Sequence, residues 1–173
     1  MEGAQVRYSM LLDLKEIIYV PGGKAPFSYA PDFSDLDFES VEAAENTDFS
    51  GLVENRAGAL TLTAKLTADL HCVCARCLTA FSRRFDMDVT AFIAEELQDE
   101  ELEDTYLLEG NSVDLDGIAR TAFVLNMEPQ LLCREDCKGL CPKCGKNLND
   151  GPCDCREDQD PRLAVLGQLL EKD

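Results

Sequence analysis

Nine cysteines, gathered in two short blocks, constrain this chain more than any other feature of its 173 residues. One block is "CVCARC" at 72–77, and the other is "CREDCKGLCPKCGKNLNDGPCDC" at 133–155. An odd number of cysteines leaves one thiol over in any scheme built from disulfides alone. The opening stretch "MEGAQVRYSMLLDLKEII" lacks the layout of a signal peptide, so we expect a cytoplasmic location, where disulfides are seldom structural. The pattern therefore favours metal or thiol chemistry.

Two of the cysteine pairs have the spacing of zinc knuckles. In a Cys-x-x-Cys pair one tight turn points two sulfurs at the same ion, and zinc is usually held by four ligands in a tetrahedron. The stretches "CARC" and "CPKCG" have this spacing, and the glycine of the second permits a positive φ. "CREDC" and "CDC" can each present one further pair. Eight cysteines are thus predicted to hold two structural zinc ions: Cys74, Cys77, Cys133, Cys137, Cys141, Cys144, Cys153 and Cys155.

The order of these cysteines along the chain favours one grouping. The last four, between 141 and 155, are so close in sequence that a site built from them has a small loop-closure cost. Cys74 and Cys77 would then share an ion with Cys133 and Cys137. Interleaved pairings are the alternative.

Cys72 and the single histidine, His71, are predicted to lie outside the metal sites. They are neighbours in a stretch of alternating residues, so their side chains point to opposite faces. We expect Cys72 to be a small buried residue and His71 to lie at the surface. With one histidine and no nucleophile–base pair, the sequence predicts neither an enzyme nor a small-molecule substrate. A thiol-redox protein is an alternative, but its Cys-x-x-Cys begins a helix, whereas Cys74–Cys77 joins two predicted strands.

The charge is strongly negative, at −18, and unevenly distributed. A chain this acidic is repelled by nucleic acid unless its cations are gathered on one face. The stretch 95–109 carries eight carboxylates and no cation; we expect a solvated loop, with a docking site for a basic partner as the alternative. Cations lie among the cysteines, and they either bind a partner or balance the charge of the thiolates. The candidate partner-binding residues are Arg76, Lys138, Lys143 and Lys146.

The remaining patterns predict an α+β fold with an antiparallel β-meander, a few helices and a cysteine-rich zinc-binding C-terminal segment. "ALTLTAKLTADLHCVC" alternates strictly, and flanking stretches within 41–94 supply two more strands. Residues 24–40 are predicted to be irregular and anchored by aromatic side chains. A helix is expected after Ser112 or Asp114 and ends before Pro129, and another begins at Asp160. No stretch is long and apolar enough to span a membrane.

These elements suggest two domains. Residues 1–132 form an α+β core that includes the Cys74/Cys77 knuckle. Residues 133–173 form the cysteine-rich zinc segment and a C-terminal helix packed on the core.

The chain resembles the YceD family, the large ribosomal RNA subunit accumulation proteins. The resemblance lies in "CARCL", in "PQLLCREDCKGLCPKCGKNLNDGPCDC" and in the following "DPRLAVLGQLL". It implies a non-enzymatic cytoplasmic factor for accumulation of large-subunit (23S) ribosomal RNA, associated with a large-subunit ribosomal protein. The family's recurring cysteines correspond to the eight predicted ligands and exclude Cys72. Some members lack the last four and retain the first four, which favours two separate sites.

Two modes of action fit this expectation. The protein contacts ribosomal RNA through its basic cysteine-rich face, or it holds a basic ribosomal protein through its carboxylates and never touches RNA. The net charge favours the second mode slightly. A zinc-dependent nucleic-acid-binding regulator is a further alternative, but the sequence shows no basic recognition helix.

Overall fold

The computed structural model describes residues 10–95 and 105–155. Most of the acidic stretch and the helix predicted from Asp160 lie outside these residues. The described elements, in chain order, are β1 (Leu11–Asp13), β2 (Lys24–Tyr29), β3 (Val41–Arg56), β4 (Ala59–Val73), β5 (Ala80–Ala94), β6 (Thr105–Leu107), β7 (Ser112–Asp114), α1 (Leu115–Asn126) and a 3-10 turn at Leu148–Asp150.

The predicted meander is confirmed, because β3, β4 and β5 are long neighbouring antiparallel strands. Alternate residues of β4 are buried, so that the leucines of "ALTLTAKLTADL" face the core while threonines and charged residues face outward. The β3–β4 hairpin turns at Ala57 and Gly58, which both have positive φ, at 55° and 98°. This backbone matches the twist of the two strands and fixes their register.

The sheet as a whole is mixed, which corrects the prediction of a purely antiparallel sheet. Its strand order is β2-β3-β4-β5-β6, and β6 runs parallel to β5 along Phe92–Ala94. A tight hairpin would force an antiparallel pair, whereas ten residues, 95–104, separate β5 from β6 in the sequence. A second, two-stranded sheet pairs β1 with β7.

Residues 24–40 are only partly irregular, because the first six form β2 at the edge of the sheet. Pro26 is tolerated there since an edge strand does not need every N–H for pairing. The predicted aromatic anchoring is confirmed. The Phe33 ring stacks on Phe123 with centroids 4.2 Å apart, and Phe27 packs on Phe49 at 5.2 Å.

The helix after the β-sheet is confirmed, and it is the one α-helix within residues 10–95 and 105–155. Asp114 is its N-cap, since its carboxylate accepts the N–H of Asp116 at 3.0 Å. The helix buries its apolar side on the sheet, where Phe123 contacts Phe85 of β5. Within the described part of the chain, no helix has the length and apolar character needed to cross a membrane.

The buried residues form two clusters. The larger lies between the sheet and α1 and includes Cys72. The smaller consists of Cys74, Cys77 and Cys137, with Leu132 and Leu140 packed against it. The cysteine-rich region thus has its own small core, while the proposed domain division at residue 132 stays a prediction.

Candidate metal centres

The first centre joins two stretches that are far apart in sequence. Cys74 and Cys77 lie in the β4–β5 connection, and Cys133 and Cys137 lie in the segment after α1. Their four sulfurs all lie within 4.8 Å of one another. The Cys74 and Cys137 sulfurs are 3.7 Å apart, and those of Cys77 and Cys133 are 3.6 Å apart. Four sulfurs at about 2.3 Å from a tetrahedral zinc ion would be about 3.8 Å apart, and the two distances just given are close to this value.

The backbone of the β4–β5 connection shapes this centre. The N–H of Leu78 donates to the Cys74 carbonyl at 2.9 Å, and Leu78 has a positive φ of 55°. The Cys74 N–H donates to the Thr79 carbonyl at 3.0 Å, which closes the knuckle between the strand ends. The Ala75 N–H donates to the Leu131 carbonyl at 2.9 Å. This last bond fixes the segment after α1 beside the knuckle.

The second centre is contained within residues 141–155. Cys141, Cys144, Cys153 and Cys155 also have all four sulfurs within 4.8 Å. The Gly145 N–H donates to the Cys141 carbonyl at 2.9 Å, and Gly145 has a φ of 71°, as the knuckle pattern predicted. Cys144 and Cys155 are exposed, whereas three cysteines of the first centre are buried. The second centre is therefore open to solvent and the first is enclosed.

In each centre the backbone favours the thiolate of one cysteine. Burial alone would raise the pKa of Cys74, but N–H groups of Cys133, Arg76 and Cys77 outweigh it and lower that pKa to about 6. The pKa of Cys141 falls to about 6 because the N–H groups of Cys144 and Lys143 point at its sulfur. Both knuckles thus supply a thiolate at neutral pH, which is the form that binds metal.

Each centre also contains a cysteine whose pKa is raised, so that its thiol resists ionisation. Burial, followed by the sulfurs of Cys77 and Cys74, raises the pKa of Cys133 to about 12. The sulfur of Cys144, followed by burial, raises the pKa of Cys155 to about 12. Crowded thiolates repel one another, and a bound divalent cation would remove this repulsion.

The donor set fits a structural metal ion. All four donors in each group are sulfurs, and neither group includes a histidine or a carboxylate. A tetrahedral four-sulfur set is typical of zinc or of iron–sulfur chemistry. Catalytic zinc sites have three protein ligands and one open position. Both groups could therefore hold a metal ion, and the donor set is consistent with zinc.

Cys72 and His71 lie where the alternation predicted. Cys72 is 1% exposed and belongs to the large apolar core. His71 points outward, with its Nε2 3.3 Å from a carboxylate oxygen of Glu45. Neither belongs to the two sulfur groups.

Two of the four candidate partner-binding cations donate hydrogen bonds to backbone carbonyls in the cysteine centres. The Arg76 guanidinium donates to the Cys137 carbonyl at 3.1 Å, and the Lys146 ammonium donates to the Pro152 carbonyl at 2.7 Å. Lys138 and Lys143 have exposed side chains. The structure brings all four close to the centres in sequence and space, but partner binding by them stays a prediction.

Three polar residues next to the first centre were not predicted from the sequence. Asn149 lies 3.4 Å from the Cys137 sulfur, and Thr79 lies 3.3 Å from the Cys77 sulfur. Asn147 contacts both Thr79 and Asn149. Asparagine is common in turns, so "KNLN" after a knuckle carries no signal that separates this role from an ordinary turn.

Comparison with known proteins identifies the relatives of this chain. Residues 62–170 match the model of the family described as large ribosomal RNA subunit accumulation protein YceD. An uncharacterized protein of Mycobacterium tuberculosis is 29% identical over 139 residues, covering 78% of this chain and 67% of that protein. The chloroplastic YCED homolog 1 of Arabidopsis thaliana, a large ribosomal RNA subunit accumulation protein, is 38% identical over 65 residues. That alignment covers 37% of this chain and 20% of the plant protein.

The uncharacterized protein YlbN of Bacillus subtilis is 28% identical over 111 residues, 62% of this chain and 64% of that protein. No solved structure matches the chain. The matched region contains most of β4, the whole of β5 and α1, and all eight predicted ligands. Because the family match spans more than half of the sequence, the chain belongs to the YceD family.

Proposed function

We propose that this chain is a non-enzymatic factor that supports accumulation of large-subunit (23S) ribosomal RNA and holds two structural zinc ions. The family description supports the ribosomal role. The arrangement of the cysteines supports structural zinc ions and a non-enzymatic role, because each group of four is complete without a water or substrate position. In this proposal the metals fix the shape of a binding surface and take no part in catalysis. The protein acts in the cytoplasm and has no small-molecule substrate.

The first ion is held by Cys74, Cys77, Cys133 and Cys137, and the second by the four cysteines between 141 and 155. The close approach of the sulfurs within each group supports this grouping over interleaved pairings. Free energy from metal binding, on the order of 10 kcal/mol for a structural site, would order segments that are too polar to form a core.

The charge of the cysteine segment favours a protein partner over direct RNA contact. Residues 133–155 contain four cations and four carboxylates, so the segment is not basic before metal is considered. Four thiolates carry two more negative charges than one zinc ion neutralises, so loading both centres makes the segment acidic. Lys138, Lys143, Lys146 and Arg76 then mainly compensate for the thiolates.

The outward face of the sheet is also poor in free positive charge. Lys65 pairs with Asp86 at 2.9 Å, and Arg84 pairs with Asp69 at 2.9 Å. Asp88 lies on the same face of β5 and is exposed. A basic large-subunit ribosomal protein would be attracted by such a surface. We therefore propose an adaptor that binds a basic ribosomal protein through carboxylates of the sheet and of residues 95–104.

Metal analysis tests the zinc assignment. Protein purified without added metal should contain two zinc ions per chain by elemental analysis and native mass spectrometry. Cys133→Ser and Cys144→Ser should each lower the content by one, and the double variant by two. Cys72→Ser is the matched control and should keep both ions. A wild-type chain without bound metal would sink the assignment, and loss of both ions, instead of one, from the Cys74→Ser/Cys133→Ser double variant would favour interleaved sites.

Binding measurements separate the adaptor from an RNA-binding protein. The full chain is titrated against a basic large-subunit ribosomal protein and against 23S rRNA fragments, each at two salt concentrations. Neutralising the carboxylates from Glu95 to Asp104 should weaken protein binding. Reversing the charges of the exposed Lys138 and Lys143 should leave it unchanged. Tight RNA binding that is lost on this reversal would contradict the adaptor and support the basic face.

The ribosomal role itself is tested in cells. Depleting the protein should lower the ratio of large-subunit to small-subunit ribosomal RNA, and the wild-type chain should restore it. A chain lacking both centres should not restore it. An unchanged ratio after depletion would contradict the proposed role.

The two alternative functions, a nucleic-acid-binding regulator and a thiol-redox protein, have less support. In the described part of the chain the one α-helix carries a single cation, Arg120, which is engaged by Asp35 and Asp116. This helix does not resemble a nucleic-acid recognition helix. Cys74 and Cys77 join two strands and do not begin a helix, unlike the motif of a thiol-redox protein.

A further inference from the structure

The segment that carries the second centre folds back onto the first. Leu140 and Asn147 form an antiparallel bridge, and the Leu148 N–H donates to the Gly139 carbonyl at 2.9 Å. The Leu140 N–H donates to the Arg76 carbonyl in the first knuckle at 3.1 Å. A Cβ at Gly139 would lie 3.0 Å from that carbonyl, so the two backbones are in close contact. The 3-10 turn at Leu148–Asp150 is thereby placed beside the first centre.

The side chain of Asn149 connects this turn to a sulfur of the first centre. Its Oδ1 accepts the backbone N–H of Lys138 at 2.8 Å. Its Nδ2 donates to Oδ1 of Asn147 at 2.8 Å and lies 3.4 Å from the Cys137 sulfur. A backbone N–H can only donate, so the amide oxygen must face Lys138 and the amide nitrogen must face the sulfur. The orientation of the amide is therefore determined by its partners.

A related contact occurs at Cys77. The Thr79 hydroxyl oxygen lies 3.3 Å from the Cys77 sulfur, and Asn147 Nδ2 donates to this oxygen at 3.4 Å. When Cys77 is a thiolate, only the hydroxyl can donate in that contact. The amide of Asn147 occupies the acceptor side of the hydroxyl, which leaves its proton directed at the sulfur. Asn149 of the turn thus contacts a sulfur of the first centre directly, and Asn147, the N-cap of the turn, acts on a second sulfur through the Thr79 hydroxyl.

Hydrogen-bond donors to the ligand sulfurs influence the metal affinity of a site. A hydrogen bond to a metal-bound ligand fixes its orientation and adjusts its charge, and removing such a partner typically lowers metal affinity about 10–100-fold. The amide N–H that faces Cys137 comes from Asn149, and the Thr79 hydroxyl that faces Cys77 accepts from Asn147. Both asparagines lie in a different stretch of chain than the sulfurs that they would help to stabilise. That stretch is held in place by the backbone around the second centre.

We propose that Asn149 is a positioning residue for the first metal centre, supported by Asn147, so that the segment bearing the second centre also completes the first. Formation of the second centre then raises the metal affinity of the first. This inference rests on the proposed zinc assignment, and its test measures metal binding at each of the two centres separately.

The test compares Asn149→Asp and Asn149→Ala with the wild-type full chain. Asn149→Asp is nearly isosteric and keeps an oxygen for the Lys138 N–H, but it faces the Cys137 sulfur with a negative oxygen. We expect zinc affinity at the first centre to fall about 10–100-fold in both variants. Affinity is measured by competition with a chromophoric chelator. Asn126→Asp is the charge-matched control, since Asn126 is exposed and its amide donates to a carbonyl within α1.

Spectroscopy separates a sulfur contact from general destabilisation. With Co²⁺ in place of zinc, Asn149→Asp should shift the sulfur-to-metal charge-transfer band of the first centre only. Cadmium-113 NMR, through coupling to cysteine β protons, assigns each resonance to its centre. Cys144→Ser, which removes one ligand of the second centre, should also weaken the first.

The possible outcomes are distinct. Wild-type affinity and an unshifted spectrum in Asn149→Asp would overturn the inference, as would equal weakening of both centres. A first centre unaffected by Cys144→Ser would contradict the coupling. Absence of metal from the wild-type chain would instead refute the zinc assignment on which the inference rests.

Discussion

At the residue scale, a buried polar side chain, that of Asn55, holds irregular backbone in place. Asn55 is 1% exposed and reaches from β3 to the turns that follow β1. Its amide donates to the carbonyls of Ile17 at 2.8 Å and Ile18 at 2.6 Å, and its oxygen accepts the Gly58 N–H at 2.8 Å. One side chain therefore ties the N-terminal segment to the β3–β4 hairpin.

Replacing Asn55 with alanine should destabilise the protein by about 2–3 kcal/mol, because the Ile18 carbonyl and the Gly58 N–H lose their partner. Urea unfolding of the metal-loaded protein measures this change. The control is Asn126→Ala, which removes an exposed amide and should cost less than about 0.5 kcal/mol. Equal effects of the two variants would show that the buried amide does not anchor the turns.

The ionisation of Tyr29 makes the free energy of unfolding depend on pH in the alkaline range. Burial, followed by the charges of Asp116 and Asp114, raises the pKa of Tyr29 above its ordinary value of 10.0. The folded state therefore retains a proton that the unfolded state releases. This contribution is fully present below the unfolded pKa and is lost as pH rises toward the folded pKa.

Tyr29→Phe should therefore reduce the loss of stability between about pH 9 and about pH 11, when compared with wild type. The ring still packs on Phe49, where the centroid distance is 6.1 Å. The free energy of unfolding at several pH values is the measurement. Tyr19→Phe, at a residue that is 79% exposed, is the control and should follow wild type. A steeper alkaline loss in Tyr29→Phe would contradict the assignment.

At the scale of elements, the β3–β4 pair depends on one close approach. A Cβ at Gly51 would collide with the Thr63 carbonyl and lie 2.6 Å from the Ala64 Cβ. Gly51 pairs with Ala64 in the register of the two strands. A side chain here would force the two central strands apart or shift their register.

Gly51→Ala should therefore destabilise the protein by about 2–3 kcal/mol through overpacking. The control is Gly58→Ala at the hairpin turn, where the added Cβ meets nothing within 4 Å. Its cost should be about 1 kcal/mol, from a positive φ alone. Thermal unfolding of both variants gives the comparison. A Gly51→Ala variant that is no less stable than Gly58→Ala would contradict the close approach.

At the scale of the whole molecule, the apolar core and the metal centres are separate sources of order. The large core between the sheet and α1 contains none of the eight predicted ligands. The ligands lie in the β4–β5 connection and in the segment after α1, which has little apolar surface of its own. Metal removal should therefore affect one part of the molecule more than the other.

Chelation should remove amide protection from residues 133–155 and from the connection at 74–79, while the centres of β3 and β4 stay protected. Hydrogen exchange followed by mass spectrometry measures this difference. Re-adding zinc should restore the pattern. Unfolding of the entire sheet on chelation, or unchanged exchange in the cysteine segment, would contradict the separation.

The difference between local patterns and long-range contacts explains which features could be predicted from the sequence. The β4 strand and α1 were predicted because their apolar residues follow a period of two or of 3.6, which the chain carries locally. β2 was missed because Pro26 and scattered aromatics hide an edge strand, and its pairing depends on β3. The parallel pairing of β6 was missed because it depends on where a long connection returns the chain. Asn149 was missed because its contact with Cys137 exists only in the folded protein.

The sequence by itself determined the meander, the helix after it, the burial of Cys72 and the eight sulfurs suited to metal. These follow from local periodicity and from the spacing of donors, which require no knowledge of distant contacts. Only the tertiary structure decided between the grouping of Cys74 with Cys133 and Cys137, which the sequence favoured, and the interleaved alternatives. It alone also decided that the sheet is mixed and that a turn from one centre touches the other. Such contacts join residues far apart in sequence, and no local pattern encodes which of several possible partners a side chain will meet.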